Sequence, residues 1–335
     1  MRILITEAAG FIGQLVSKKL LDDEHAAHSL ILTDIIEPPV PSNARSSNHV
    51  KTIKADLLTQ SSCVVAKDIH AVYVFYSIMS SGAEADFELG MKANFDATRA
   101  LLDTIRKTCP GTRVIYASSQ AVYNNSVTLP VKKSQMPTPE TSYGAEKMMC
   151  EYLIPEYTRR GFIGGISLRF PTVSVRPGKP TAAASSFLSG MCHMIREPMN
   201  GIRCVIPLDD KQWRHWLCSP RIIVQNLVYA ATTFDLDRLP KFDRCLNFPD
   251  IGVTVQDMTD SLARVGEKDK LHLLEFKEEP TLKKILDSWP EDFDNSKALD
   301  LGFVRDTGFD QIVRNYVEGL PQKTKLYGKI LRKIY

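Results

Sequence analysis

The sequence predicts an α/β fold: a doubly wound parallel sheet with a smaller C-terminal lobe for substrate. Three observations predict it. A short apolar run at the start of the chain turns through glycines into a helix, Arg2–Gly13 reading R-I-L-I-T-E-A-A-G-F-I-G. Apolar, β-branched strands then alternate with helical stretches as far as Phe170, as parallel β-α units do. After Pro171 that alternation stops. The expected division is therefore 1–172 for the sheet and 173–335 for the lobe, with some later segments able to return to the sheet.

Ile3, Leu4 and Ile5 read as a buried strand, and Leu15, Val16, Leu20 and Leu21 fall at helical spacing. Gly10, Phe11, Ile12 and Gly13 lie in the turn between them, where helix N-terminal N–H groups can cradle a phosphate. Ser29–Asp34 is the second strand and closes on an acid. Asp34 stands about twenty residues beyond Gly13, the place of a carboxylate that accepts ribose hydroxyls, and such an acid favours NAD over NADP. Capping of a turn is the structural alternative for Asp34. A Pro/Ser/Asn-rich loop follows at Glu37–Ser47, then a third strand over Val50–Leu57, with Asp56 and Leu57 bordering an adenine pocket.

Ala71–Met79 predicts a fourth, buried strand, and Glu84–Thr108 one long helix. Arg113–Ser119 is a fifth strand ending in two serines, Thr141–Tyr157 a helix, and Ile163–Phe170 a sixth strand closed by Pro171 and Thr172. Ligands of such sheets sit beyond the carboxyl ends of the strands, where Asp34, Ser118, Ser119, Pro171 and Thr172 all fall. In the second half, helices are expected near Ala182–Met194, Pro220–Thr233, Thr254–Val265, Pro280–Ser288 and Phe309–Leu320, and strands at Cys204–Ile206 and Cys245–Phe248.

Composition narrows the function. A chain of 335 residues that is 44% hydrophobic can bury a large core, and a net charge of +3 does not point to nucleic acid. The basic residues gathered after Lys323 read as a solvated face. Seven dispersed cysteines with no C-x-x-C pair imply reduced thiols and no metal site. No apolar run approaches the roughly 20 residues of a membrane span, and the N-terminus lacks a signal peptide's pattern. The expectation is a cytoplasmic enzyme with a small-molecule substrate, without nucleic-acid or membrane partners.

The chemistry concentrates in Ser118-Ser119 and Tyr143-Gly144-Ala145-Glu146-Lys147. A tyrosine hydroxyl, with pKa near 10, is a poor base at neutral pH. A lysine at i+4 shares its helix face and stabilises the phenolate, and a serine from the neighbouring strand end can orient a substrate oxygen. Tyr-x-x-x-Lys alone recurs by chance; placed after a strand ending Ser-Ser and at a helix start, it becomes specific.

With T-x-A-A-G-F-I-G, A-S-S-Q-A-V-Y, P-E-T-S-Y-G-A-E-K and L-R-F-P-T-V, the chain resembles the extended short-chain dehydrogenase/reductases, in their NAD-dependent epimerase/dehydratase branch. A-E-A-D-F-E-L-G-M, V-R-P-G-K-P, R-E-P-M-N-G and R-H-W narrow the similarity to sugar-acid dehydrogenases of the D-erythronate type. The resemblance implies a Rossmann-type sheet and a catalytic set of Ser119, Tyr143 and Lys147, with Asn94 holding the proton-relay geometry behind the lysine. It implies Pro171, Thr172 and Val173 at the nicotinamide carboxamide, Lys147 also on the cofactor, Ser80 and Ser81 in the substrate loop, and a homodimer. For a substrate acid group Arg176 and Arg214 are the candidates, an ion pair between lobes being the alternative. His215 reads more as a structural residue than a catalytic one, and Trp213 and Trp216 either wall the pocket or pack the lobe.

Two departures concern the cofactor. Glu7 stands where the family has the first glycine of its motif, and Tyr76 where a small residue lets the cofactor approach the fourth strand. Strand alternation means only one of Phe75 and Tyr76 faces that channel. Ser81 also replaces an expected glycine. Three readings follow: an NAD-dependent oxidoreductase acting on a hydroxyl or ketone; a cofactor-independent isomerase, lyase or cyclase of secondary metabolism that reuses the Tyr/Lys pair; and a non-enzymatic regulator.

Overall fold

A computed structural model describes residues 1–22, 28–45, 50–175, 194–266, 268–280, 283 and 286–319. Its centre is a seven-stranded parallel sheet. β1 (Arg2–Ile5), β2 (Ser29–Asp34), β3 (Val50–Lys54), β4 (Ala71–Val74), β5 (Arg113–Ser119) and β6 (Gly164–Phe170) are joined by β10 (Cys245–Asn247), in the order β10-β6-β5-β4-β1-β2-β3. The order reverses between β1 and β4, so the switch point of the sheet lies at the glycine turn.

Both faces are buried, which is why the strands read as continuous apolar runs rather than alternating ones. On one face Ile3, Ile5, Leu30, Leu32 and Ile115 pack beneath α1 (Phe11–Asp22) and the helix Pro220–Thr232. On the other, Leu4, Ile31, Val72 and Val114 meet α2 (Leu57–Val64), α5 (Ala97–Thr108) and α6 (Ser142–Arg159). A smaller body carries a three-stranded sheet of β11 (Ile251–Thr254), β9 (Arg214–Cys218) and β7 (Thr172–Val173), and a two-stranded pair of β12 (Leu274–Phe276) and β8 (Cys204–Ile206).

Three expected boundaries are corrected, each by a side chain that competes with the backbone ladder. The fourth strand ends at Val74 rather than Met79, because the Thr6 hydroxyl accepts the N–H groups of Phe75 and Tyr76 at 2.9 and 3.1 Å. The third ends at Lys54 rather than Leu57, because Asp56 caps α2 by accepting from Leu58 N–H. The long helix over 84–108 is interrupted. Asp86 is extended (φ −142°) and caps a new turn, so α3 (Ser80–Ala85) and α4 (Phe87–Gly90) are separate. A π-helical turn, Met91–Asp96, then precedes α5. The helix expected at Ala182–Met194 lies outside the described residues apart from its last position.

Candidate active site

Local sequence builds the turn after β1. Glu7 adopts φ +51°, a left-handed conformation that costs a non-glycine residue roughly 1–2 kcal/mol. Its carbonyl accepts from Gly10 N–H at 3.0 Å, tightening the turn. A Cβ on Gly13 would collide with that same carbonyl, so the glycine lets α1 start against the Glu7 backbone. A Cβ on Gly10 would lie 2.5 Å from Glu7 Oε1, so the Glu7 side chain is folded over the turn where phosphate-binding turns are bare. Phe11 and Ile12 open α1 and pack on its core face.

At the end of β2, Asp34 is buried, and its carboxylate accepts from Ala9 N–H (3.0 Å) and Ile35 N–H (2.7 Å). Those bonds tie the acid to the glycine turn. Asp56 is occupied as a helix cap, and the Leu57 side chain points into the core under α5. Phe75 is buried and stacked on Tyr73 at 5.3 Å, so Tyr76 is the residue that faces the channel. Burial, and then the Asp56 and Asp34 carboxylates, push its hydroxyl above the ordinary phenol range. Its ring therefore sits by the two acids expected to hold an adenosine.

Gly144 explains how the catalytic candidates meet. A Cβ there would strike the Ala121 carbonyl, so only glycine lets the first turn of α6 abut the segment after Ser119. Thr141 caps that turn by accepting from Gly144 N–H. Tyr143 is thereby held against the end of β5. Lys147 is buried, donates from Nζ to the Ala117 carbonyl at 2.9 Å, and lies 5.5 Å from the Tyr143 ring centre. Ser119 Oγ accepts from Ala121 N–H at 3.1 Å, leaving its own proton to donate elsewhere.

Asn94 sits in the π-helical turn, fully buried. Its side chain accepts from Ile78 N–H (2.6 Å) and donates to the Ile78 carbonyl (2.9 Å) and to Glu146 Oε2 (2.5 Å). It thus pins the loop leading to Ser80 and Ser81, which open α3, against the helix carrying Tyr143 and Lys147. Glu146 escaped the sequence reading. Gly90 makes room for it, since a Cβ there would clash with Oε1, and burial raises its carboxyl. The only available signal was an acid inside the Tyr-x-x-x-Lys spacer.

Ser118 and Arg214 are not where the sequence placed them. Adjacent strand residues face opposite ways. Ser118 therefore points away from Ser119 and donates to Glu151, which forms a buried, bidentate ion pair with Arg169 (Nη2 to Oε2, 2.6 Å). In β9 the inward residue is His215, whose Nε2 meets Thr172 Oγ1 at 2.6 Å. The imidazole lies flat on Trp213 (5.4 Å, 14°) and near Trp289 (5.8 Å), and burial lowers its pKa to about 3, so it is neutral. Arg214 projects from the opposite face, over Gly252 and the Trp216 ring. Val173 is buried beside Pro171, and Arg176 lies outside the described residues.

The fit of a dinucleotide can be judged from these contacts. The Gly13 approach, the anchored Asp34 and the Pro171–Val173 segment suit one. The obstacle at Gly10 is a side chain, that of Glu7, and not backbone. Among the described residues no cluster of His, Cys, Asp and Glu could hold a metal ion, and no helix is long and apolar enough to cross a membrane.

A parallel sheet with a glycine turn at its switch point and a Ser/Tyr/Lys group beyond β5 defines the dinucleotide-dependent reductase and epimerase class. The chain belongs to the NAD dependent epimerase/dehydratase family, an enzyme family whose profile matches residues 3–222. It is 35% identical over 322 residues to a D-erythronate dehydrogenase of Haemophilus influenzae, covering 95% of this chain and 99% of that protein. A D-erythronate dehydrogenase of Cupriavidus necator is 37% identical over 328 residues, covering 95% and 98%. Among solved structures, a nucleoside-diphosphate-sugar epimerase from Agrobacterium tumefaciens superposes with TM-score 0.88 at 33% identity, covering 95% and 94%. L-threonine 3-dehydrogenase from Trypanosoma brucei gives TM-score 0.80 at 25% identity, covering 94% and 95%.

Proposed function

We propose that the protein is an NAD-dependent oxidoreductase that interconverts a hydroxyl and a ketone on a small polar substrate, with sugar acids as the candidate class. The observation that carries this reading is the Tyr143–Lys147 pair, buried together in the turn of α6 that Gly144 brings against Ala121, two residues after Ser119. Full-length similarity to two D-erythronate dehydrogenases supports the substrate class.

In the oxidative direction Ser119 donates its hydroxyl proton to the substrate oxygen and orients it. Tyr143 takes the substrate hydroxyl proton, and the Lys147 ammonium stabilises the phenolate that does so. Asn94 keeps the substrate loop and α6 in register. NAD, when bound, supplies the hydride acceptor. Asp34 and Asp56 would hold its adenosine, Gly10 to Gly13 its phosphates, and Pro171, Thr172 and Val173 its carboxamide, with Thr172 kept in place by the neutral His215. Arg176 is the remaining candidate for a substrate carboxylate.

A second reading is favoured by Glu7 over Gly10 and by Tyr76 beside Asp34 and Asp56: acid/base chemistry by Tyr143 and Lys147 without the cofactor. Titration with NADH and NADPH separates the two. The redox reading expects micromolar NADH binding and substrate-dependent NADH formation with sugar acids. Absence of NADH binding, together with turnover that Tyr143→Phe abolishes, would replace it with the second.

A further inference from the structure

Neither the proton transfer nor the hydride transfer uses the buried carboxyl of Glu146, the residue before Lys147. It fits because the facing segment is bare: a Cβ on Gly90 would clash with its Oε1. That oxygen is buried and has no hydrogen-bond partner among the described residues. Burial raises the carboxyl above the ordinary carboxylate range; Asn94 and Lys147 oppose the shift, and Glu84 of α3 adds to it. An ionised carboxylate with a bare buried oxygen costs more than a neutral carboxyl. What Glu146 offers its neighbours is therefore one acceptor, Oε2.

That acceptor completes a chain of contacts. Oε2 takes one amide proton of Asn94 at 2.5 Å. The other goes to the Ile78 carbonyl (2.9 Å), while Asn94 Oδ1 accepts from Ile78 N–H (2.6 Å). The Asn94 backbone is fixed separately, its carbonyl accepting from Thr98 Oγ1 (2.8 Å) and Cys150 Sγ (3.4 Å). Ile78 in turn seats α3. A Cβ on Gly82 would lie 2.6 Å from Ile78 Cγ2, so the turn that carries Ser80 and Ser81 packs straight onto it. The serine loop thus reaches α6 through Ile78, Asn94 and Glu146 in series. A second tie, from Ser142 N–H to Glu84 at 3.0 Å, lies at the surface, where water competes. Tyr143 and Lys147 have holds of their own, the Thr141 cap and the Ala117 carbonyl. Removing Oε2 would leave an Asn94 amide proton buried without an acceptor, which disfavours the arrangement that grips Ile78.

We propose that Glu146 is a positioning residue: as a hydrogen-bond acceptor and not as a charge, it holds the serine loop in place against Tyr143 and Lys147, and so sets the affinity for substrate. The link to substrate rests on the oxidoreductase reading. The clasp itself does not.

Two measurements on the full chain test it. Amide hydrogen exchange reads the Ile78 N–H relative to the amides of β5, which removes any change in global stability. Steady-state kinetics with NAD and a sugar acid reads KM against kcat. In E146M, which keeps the bulk and loses the acceptor, Ile78 should exchange at least tenfold faster. KM should rise at least fivefold with kcat within twofold. E146Q keeps an acceptor oxygen and should stay within twofold of wild type in both. Unchanged exchange in E146M overturns the proposal, as does E146Q impaired as severely as E146M, or faster exchange with an unaltered KM. A wild type that oxidises no sugar acid refutes the oxidoreductase reading instead, and the exchange pattern alone then decides the role of Glu146. Should E146M misfold, E146A, which only removes atoms, is read in the same way.

Discussion

Replacing Glu7 with glycine tests the cofactor reading most directly. The substitution does two separable things. It relieves a left-handed backbone worth roughly 1–2 kcal/mol in a non-glycine residue, against about 0.5–1 kcal/mol of extra chain entropy lost by glycine on folding. The net expectation is a gain of about 0.5–1 kcal/mol in urea unfolding without cofactor. It also clears the side chain that lies 2.5 Å from a Cβ position at Gly10, and with it one negative charge beside the pyrophosphate. Two unit charges 4 Å apart interact by about 4 kcal/mol at an effective dielectric near 20, so partial solvation still leaves more than the 1.4 kcal/mol of a tenfold change. Glu7→Gly should therefore bind NADH at least tenfold more tightly by fluorescence titration. Glu7→Gln, which keeps the bulk and removes the charge, should fall between the two. Unchanged NADH affinity in Glu7→Gly would refute the argument that this side chain occupies cofactor space.

Three further outcomes are expected. Tyr143→Phe should reduce turnover at least a hundredfold, the lower range for loss of a positioned acid/base group, with an unaltered melting curve; retained turnover would mean the base lies elsewhere. His215 is neutral when folded and has a pKa of about 3, against about 6.5 unfolded. Its contribution is therefore intact above pH 6.5 and lost progressively as pH falls toward 3, at about 1.4 kcal/mol per pH unit. Urea unfolding of His215→Asn should show a correspondingly shallower decline on acidification, and parallel curves would refute the assignment. Arg169→Met leaves Glu151 and Ser118 buried without their cation and should cost about 3–5 kcal/mol in urea unfolding; a loss under 1 kcal/mol would contradict the buried pairing.

The sheet was legible because its strands are apolar on both sides and its turns carry glycine or proline. Asp34, Tyr143 and Lys147 were nominated by chain spacing, and Asn94 by the family resemblance alone. What escaped the sequence is set by neighbours distant in the chain. Nothing local says that the Thr6 hydroxyl will end β4, or that β9 turns His215 rather than Arg214 toward Thr172. The Glu146–Asn94 and Glu151–Arg169 pairs are likewise tertiary, joining residues 52 and 18 positions apart. Buried carboxylates of this kind look like solvated charges until their partners are known.

β10 carries a consequence for how this chain can be cut or recombined. It is the seventh strand of the sheet, and it hydrogen-bonds β6 from residues 245–247, long after the other six strands have been made. A fragment ending at residue 172 would leave the backbone of Ser167–Arg169 as a raw edge, and the apolar surface beneath the helix Pro220–Thr232 open to water. Such a fragment should precipitate. A chimera that borrows a relative's smaller body needs two crossover points, so that residues 220–247 travel with the first half.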